Sequence, residues 1–128
     1  MYFIRKLKEF NIDVTLCTLF YKSVIESIIS FCITSWGGNA YKTDVKRIDK
    51  IINKAGRYTH GITDVQGIFD KFCMLHLNKI LNDDNHPIFN RITRSYRHNN
   101  RLLSQTTKTT RHLNSFLPYS IRLFQDNK

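Results

Sequence analysis

Acidic residues are scarce in this sequence. Ten Asp and Glu stand against twenty Lys and Arg among 128 residues, a formal charge of +10 at pH 7. The excess is uneven: residues 1–40 carry four basic and three acidic groups, residues 41–85 eight and six, and residues 86–128 eight and one. A surface of this sign suits a polyanionic partner. Nucleic acid is the first candidate, an anionic membrane surface the second, and a merely solvated basic surface the plain alternative. Cysteine is limited to Cys17, Cys32 and Cys73, an odd number at wide spacing. Neither a disulfide framework nor a zinc site follows, and a reducing intracellular compartment, nuclear or cytoplasmic, fits best. No signal peptide is expected, because Arg5, Lys6, Lys8 and Glu9 interrupt the first residues. A transmembrane helix is not expected either. The window Val14–Trp36 is long enough, but Lys22 and Glu26 sit near its middle.

Catalytic constellations are missing too. The five histidines, His60, His76, His86, His98 and His112, are scattered. No H-x-x-x-H pair, C-x-x-C, G-x-x-x-x-G-K-S/T loop or G-x-S-x-G elbow occurs. The adjacent Asp83 and Asp84 read as a polar helix end rather than a cation site, and His76 as a half-buried packing residue. No catalytic residue, metal ligand, cofactor or small-molecule substrate is therefore expected.

What is present is an apolar, helix-patterned chain. A hydrophobic content of 41% is too high for wholesale disorder, and the length allows a real core. "MYFIRKLKEFNI" places Phe3, Ile4, Leu7 and Phe10 at helical spacing. Asp13 is a good N-cap for the next segment, since its carboxylate accepts from free backbone N–H groups. That segment, "VTLCTLFYKSVIESIISFCITSW", predicts one long helix with two apolar stripes: Leu16, Phe20, Val24, Ile28, Phe31 and Cys17, Tyr21, Ile25, Ile29, Cys32, Trp36. A helix apolar on two stripes is expected to be buried on more than one side, with Lys22 and Glu26 paired on the remaining strip. Trp36, the single Trp, should plug the end of the core, and Gly37-Gly38-Asn39 should stop the helix through positive φ and reverse the chain.

A second helix is expected over "DVKRIDKIINKAGRYTHG", capped by Thr43, with Val45, Ile48, Ile51, Ile52 and Ala55 inward and Gly61 as its stop. A third covers Val65 to Leu81, and Pro87 opens a short helix, "PIFNRI". Beyond Ser95 the polar, Thr-rich "YRHNNRLLSQTTKTTRH" suggests a loose hairpin or a disordered arm. Ser115 then caps a last helix carrying Phe116, Ile121, Leu123 and Phe124. The expected class is all-α: a small bundle of three to four main helices over residues 1–92, and a basic, loosely structured C-terminal extension over 93–128 that ends in a short helix.

The residues left to explain are the cations. Lys46, Arg47, Lys50, Lys54 and Arg57 form a row on the second helix, able to track phosphates or simply to face solvent. Arg94, Arg97, Arg101, Lys108 and Arg111 have almost no acids to offset them, and Tyr96 is interleaved where it can stack on a base.

The order of segments adds a resemblance. "YFIRKLKEFNI", "LFYKSVIESIISFCITSWGGN", "KRIDKIINKAGR", "ILNDDNHPIF" and "TRHLNSFLPYSIRLF" together resemble the region downstream of the polymerase core in reverse transcriptases of non-LTR (LINE-type) retrotransposons. The resemblance implies thumb-like helices through "SWGGN" and then an extension that helps hold template RNA or target DNA. It carries no catalytic residue into this chain: Met1 stands where the family is in mid-sequence, no Y/F-A-D-D occurs, and the palm and endonuclease are absent. The stretch "SYRHNNRLLSQTTKTT" also departs from the basic, proline-containing sequence usual there. The part from "LFYKSVIESIISFCITSWGGN" through "KRIDKIINKAGR" further resembles a small domain family named after the N-terminal part of an AlkB-type repair protein. An iron/2-oxoglutarate site needs H-x-D plus a distal His, and no H-x-D exists here.

The expected function is non-catalytic contact with the RNA or DNA backbone. The alternatives are a helical protein-interaction module, self-associating through an exposed apolar face, and a domain associated with an AlkB-type dioxygenase or methyltransferase.

Overall fold

The computed structural model describes residues 2–95, 101–103 and 106–126, with the side chains of 93–95 and 101 excepted. The described chain is all-α apart from one two-stranded ladder. It divides into two compact units, Met1–Ile33 with Ala40–Ile68, and Thr34–Asn39 with Phe69–Lys128.

In the first unit, α1 spans Tyr2–Glu9 and α2 spans Val14–Phe20. The Asp13 carboxylate accepts from the Thr15 N–H at 3.3 Å, as its position predicts. The long helix does not run on to Trp36. It widens into a π-helical stretch at Tyr21–Glu26, resumes as α3 at Ser27–Ser30, and breaks where Phe31 turns extended and Cys32 takes φ +49°. Through the widened turn the hydrogen bonds run i to i+5, so residues four apart lose their stacked positions. Lys22 and Glu26 accordingly make no ion pair.

The two stripes also part company. Cys17 and Tyr21 are buried, and Ile25 and Ile29 partly so. Leu16 is 57% exposed, Ile28 72% and Phe31 74%, so burial on more than one side does not occur. One core cluster here is Ile4, Tyr21 and Ala55, flanked by Phe20, Ile25, Tyr58 and Ile62, and Cys17, Ile33, Ile52, Val65 and Ile68 are buried as well. Ile4 alone of the α1 apolar set is buried; Phe3 and Phe10 are exposed.

Helix α5 spans Lys42–Gly56, with Tyr41 rather than Thr43 at its N-cap and no side-chain cap. Ile52 and Ala55 are buried, but Ile51 is on the surface. The helix stops at Gly56, before Gly61, whose φ of +67° serves the following turn. Below that stop the Thr59 hydroxyl, itself buried, donates to the Ala55 carbonyl at 3.0 Å.

Helix α6, Val65–Leu81, starts and ends where its sequence predicts. Asp64 accepts from the Gly67 N–H at 3.0 Å and Asp49 from the Val65 N–H at 3.1 Å, so two otherwise orphaned donors are satisfied.

In the second unit, α4 (Ile33–Trp36) continues into a 3₁₀ turn at Gly37–Asn39. Neither glycine takes positive φ. They are required by close approach: a Cβ on Gly37 would lie 2.6 Å from the Phe69 ring, and one on Gly38 would run into the Asn114 carbonyl oxygen. Trp36 is half-buried rather than a full core plug.

The core of this unit is Leu77, Ile80, Ile92, Leu102 and Ile121, with Ile88, Phe89, Phe116, Leu117 and Phe124 packed on it. Pro87 precedes only a 3₁₀ turn, Phe89–Arg91. Strands β1 (Thr93–Ser95) and β2 (Arg101–Leu103) pair antiparallel, Arg94 opposite Leu102. Gln125 donates to the Leu102 carbonyl. Helix α7 spans Thr110–Leu113, with Thr109 accepting from the His112 N–H. Helix α8 spans Phe116–Asp126. Ser115 precedes it, but its hydroxyl donates back to the His112 carbonyl at 2.6 Å instead of capping.

Candidate nucleic-acid interface

Helix α5 and its C-cap residue Arg57 present the expected row of cations in the first unit. With about 100° between successive residues, Lys46, Arg57, Lys50, Lys54 and Arg47 fall within an arc of roughly 100°. Val45, Ile48, Ile52 and Ala55 lie on the opposite side, so packing of the apolar face aims the cations outward. All five are exposed. Arg47 is paired with Asp44 at 3.2 Å, while Lys46, Lys50, Lys54 and Arg57 form no ion pair among the described residues. The row rises about 16 Å along the axis.

The other expected positions lie in the second unit. Lys108 and Arg111 are exposed. Arg94 and Arg101 stand on β1 and β2, and Arg97 and Tyr96 lie outside the described residues. Arg122 is turned inward: it donates to the Leu113 carbonyl at 2.8 Å and stacks over the Tyr119 ring, 5.7 Å from its centroid.

At the C-terminal end of α5 the structure adds residues that sequence reasoning missed. Tyr2, Arg5, Lys54, Arg57 and Tyr58 line a hollow of about 330 Å³. The Lys6 and Lys8 ammonium groups lie over two of these rings, 5.8 Å from the Tyr2 centroid and 5.7 Å from that of Tyr58. Glu9 takes Lys6 and, at 3.9 Å, Arg5; the Lys6 hydrogen bond holds its carboxyl below the usual carboxylate range. A sequence signal existed in the cation–aromatic pairs Tyr2–Arg5 and Arg57–Tyr58, but nothing along the chain brings the two pairs together.

Several other polar groups serve the local structure. The Tyr119 hydroxyl donates to Asp70 at 2.6 Å, and burial first, then the Asp70 carboxylate, raises its pKa. Burial pushes the Cys73 thiol up to about 12. All three cysteines are free. Asp83 accepts from the Asn85 N–H at 3.0 Å, closing the turn after α6. His76 is exposed, not half-buried, with its ring edge-on to Phe72 and Phe116. Among the described residues no group of three or more His, Cys, Asp or Glu is placed to hold a metal ion. No single helix there is long and apolar enough to cross a membrane; only the broken pair Val14–Ser30 and Ile33–Asn39 together reaches that composition.

Against known proteins, residues 1–27 match the family described as alkylated DNA repair protein alkB homolog 8, N-terminal. The match covers α1, α2 and the π-helical turn, and it contains no histidine. Neither the curated proteins nor the solved structures give a match, so none is to a reverse transcriptase.

Proposed function

We propose that this chain is a non-catalytic, nucleic-acid-contacting helical fragment of the kind found after the polymerase core of non-LTR retrotransposon reverse transcriptases. Its partner is the backbone of RNA or DNA rather than a membrane or a small molecule. The observation that carries the contact is the α5 row: five exposed cations on one arc, four of them without an acidic partner among the described residues. Each phosphate such a row neutralises releases counterions, giving affinity that positions a strand without reading its bases. The ordered set of motifs supports the retrotransposon origin.

The test is binding of RNA and DNA measured against salt. Five contacts give a slope of log affinity on log salt near −4 to −5 on duplex DNA, at about −0.9 per phosphate. Lys46→Glu with Lys50→Glu is expected to reduce that slope by about 2. Salt-independent binding, or a slope the double variant does not change, removes the proposal.

A second reading, a protein-interaction module, is favoured by the exposed apolar stripe Leu16, Val24, Ile28 and Phe31. It extends to self-association, and a chain that sediments as a monomer at every concentration speaks against that. An AlkB-type catalytic role has only the short match at residues 1–27 behind it.

A further inference from the structure

The hollow between α1 and the end of α5 differs from the row beside it in carrying aromatic rings. A duplex backbone has use for Lys54, Arg57 and Arg5 but none for Tyr2 and Tyr58, because its bases are already stacked on one another. A single strand has use for both. Its phosphate sits on the cations, and its unpaired base supplies a π-face for a ring. A volume of about 330 Å³ lies at the small end of the ~300–1,000 Å³ typical of small-ligand pockets, which suits one nucleotide. Three lining cations, with Lys6 and Lys8 over the two rings and Glu9 paired to Arg5 and Lys6, make the place electropositive.

We infer that Tyr2, Arg5, Lys54, Arg57 and Tyr58 form a site for one unstacked nucleotide of a single strand, with phosphate on the three cations and base against a tyrosine ring. This deepens the nucleic-acid reading above and rests on it for the class of ligand. It adds selectivity for single strands, which the α5 row does not supply.

The experiment uses the full chain and fluorescence anisotropy with an oligothymidine strand and a duplex of equal length. Tyr2→Ala is the main variant, since Tyr2 is 58% exposed and its loss leaves the core intact. Tyr58 packs against the Ile4–Tyr21–Ala55 core, so there only Tyr58→Phe, which keeps the ring, is used. Tyr2→Ala is expected to weaken single-strand binding by about tenfold and leave duplex binding unchanged, with Tyr2→Phe and Tyr58→Phe close to wild type. Arms with and without a 5′-phosphate separate a strand end from an internal nucleotide: tighter binding of the phosphorylated arm assigns the end, and equal binding assigns an internal position.

Tyr2→Ala weakening both forms alike, or neither, overturns the site. So does Tyr2-dependent binding to anionic vesicles without single-strand binding, which would assign a lipid headgroup. Lys46→Glu with Lys50→Glu keeps the two proposals apart. If that variant changes nothing while Tyr2→Ala acts on single strands, the row falls and the site stands; the reverse pattern keeps the row and removes the site.

Discussion

The first compact unit buries Ile4, Cys17, Tyr21, Ile33, Ile52, Ala55, Val65 and Ile68, while leaving Leu16, Ile28 and Phe31 at the surface. The second draws Leu77, Ile80, Ile92, Leu102 and Ile121 together from α6, the β-ladder with its approach, and α8. Apolar sequence is plentiful in both. The difference is how many elements cover each helix. The α2–α3 segment is apolar on two stripes, and in its own unit only the Cys17–Tyr21 side is covered. In the second unit α6, the ladder and α8 share one core, and of its large apolar residues in the described part Leu75 and Leu103 stay exposed. A surplus of apolar stripe therefore marks a surface still to be explained, not a deeper core.

Two phenylalanines break or sharpen this comparison most strongly. Phe69 is 2% exposed, its ring centroid 4.8 Å from that of Tyr119. Phe69→Ala is expected to cost about 3–5 kcal/mol in urea denaturation, the scale of large core truncations. Phe31→Ala is expected to change stability by less than about 0.5 kcal/mol. A comparable loss for Phe31 would count against the surface placement of the stripe, and sedimentation of the same variant would show whether a second copy covers it.

Two tyrosines give the smaller effect. Tyr119 donates to Asp70, whereas the buried Tyr21 hydroxyl has no hydrogen-bond partner among the described residues. Tyr119→Phe is expected to cost about 1–2 kcal/mol, and Tyr21→Phe to be neutral or stabilising by up to about 1 kcal/mol. Both phenols are raised above their ordinary value of 10.0, chiefly by burial. A raised folded-state value means a contribution that is complete below pH 10 and is lost as pH climbs beyond it. Denaturation midpoints measured upward from pH 10 should therefore fall less steeply in each Phe variant than in the wild type. Equal slopes would count against the burial of these groups.

Some elements were legible because their chemistry is local. Asp13 caps α2, and α6 holds its full sequence-derived span. The α5 cations face outward because Ile52 and Ala55 face inward, a relation fixed by helical period alone. The glycines 37 and 38 were legible as special but not for the right reason. Their backbone is ordinary, and what demands glycine is a ring and a carbonyl from residues 69 and 114, far along the chain.

By itself, then, the sequence determined the helical class, the charge and its outward row, because periodicity, capping and formal charge are properties of neighbouring residues. Tertiary structure alone decided which of the two α2–α3 stripes is buried, where that helix breaks, and that Tyr2 and Arg5 meet Lys54, Arg57 and Tyr58. Each of these depends on which distant surface covers or abuts a residue, and helical spacing holds no information about that.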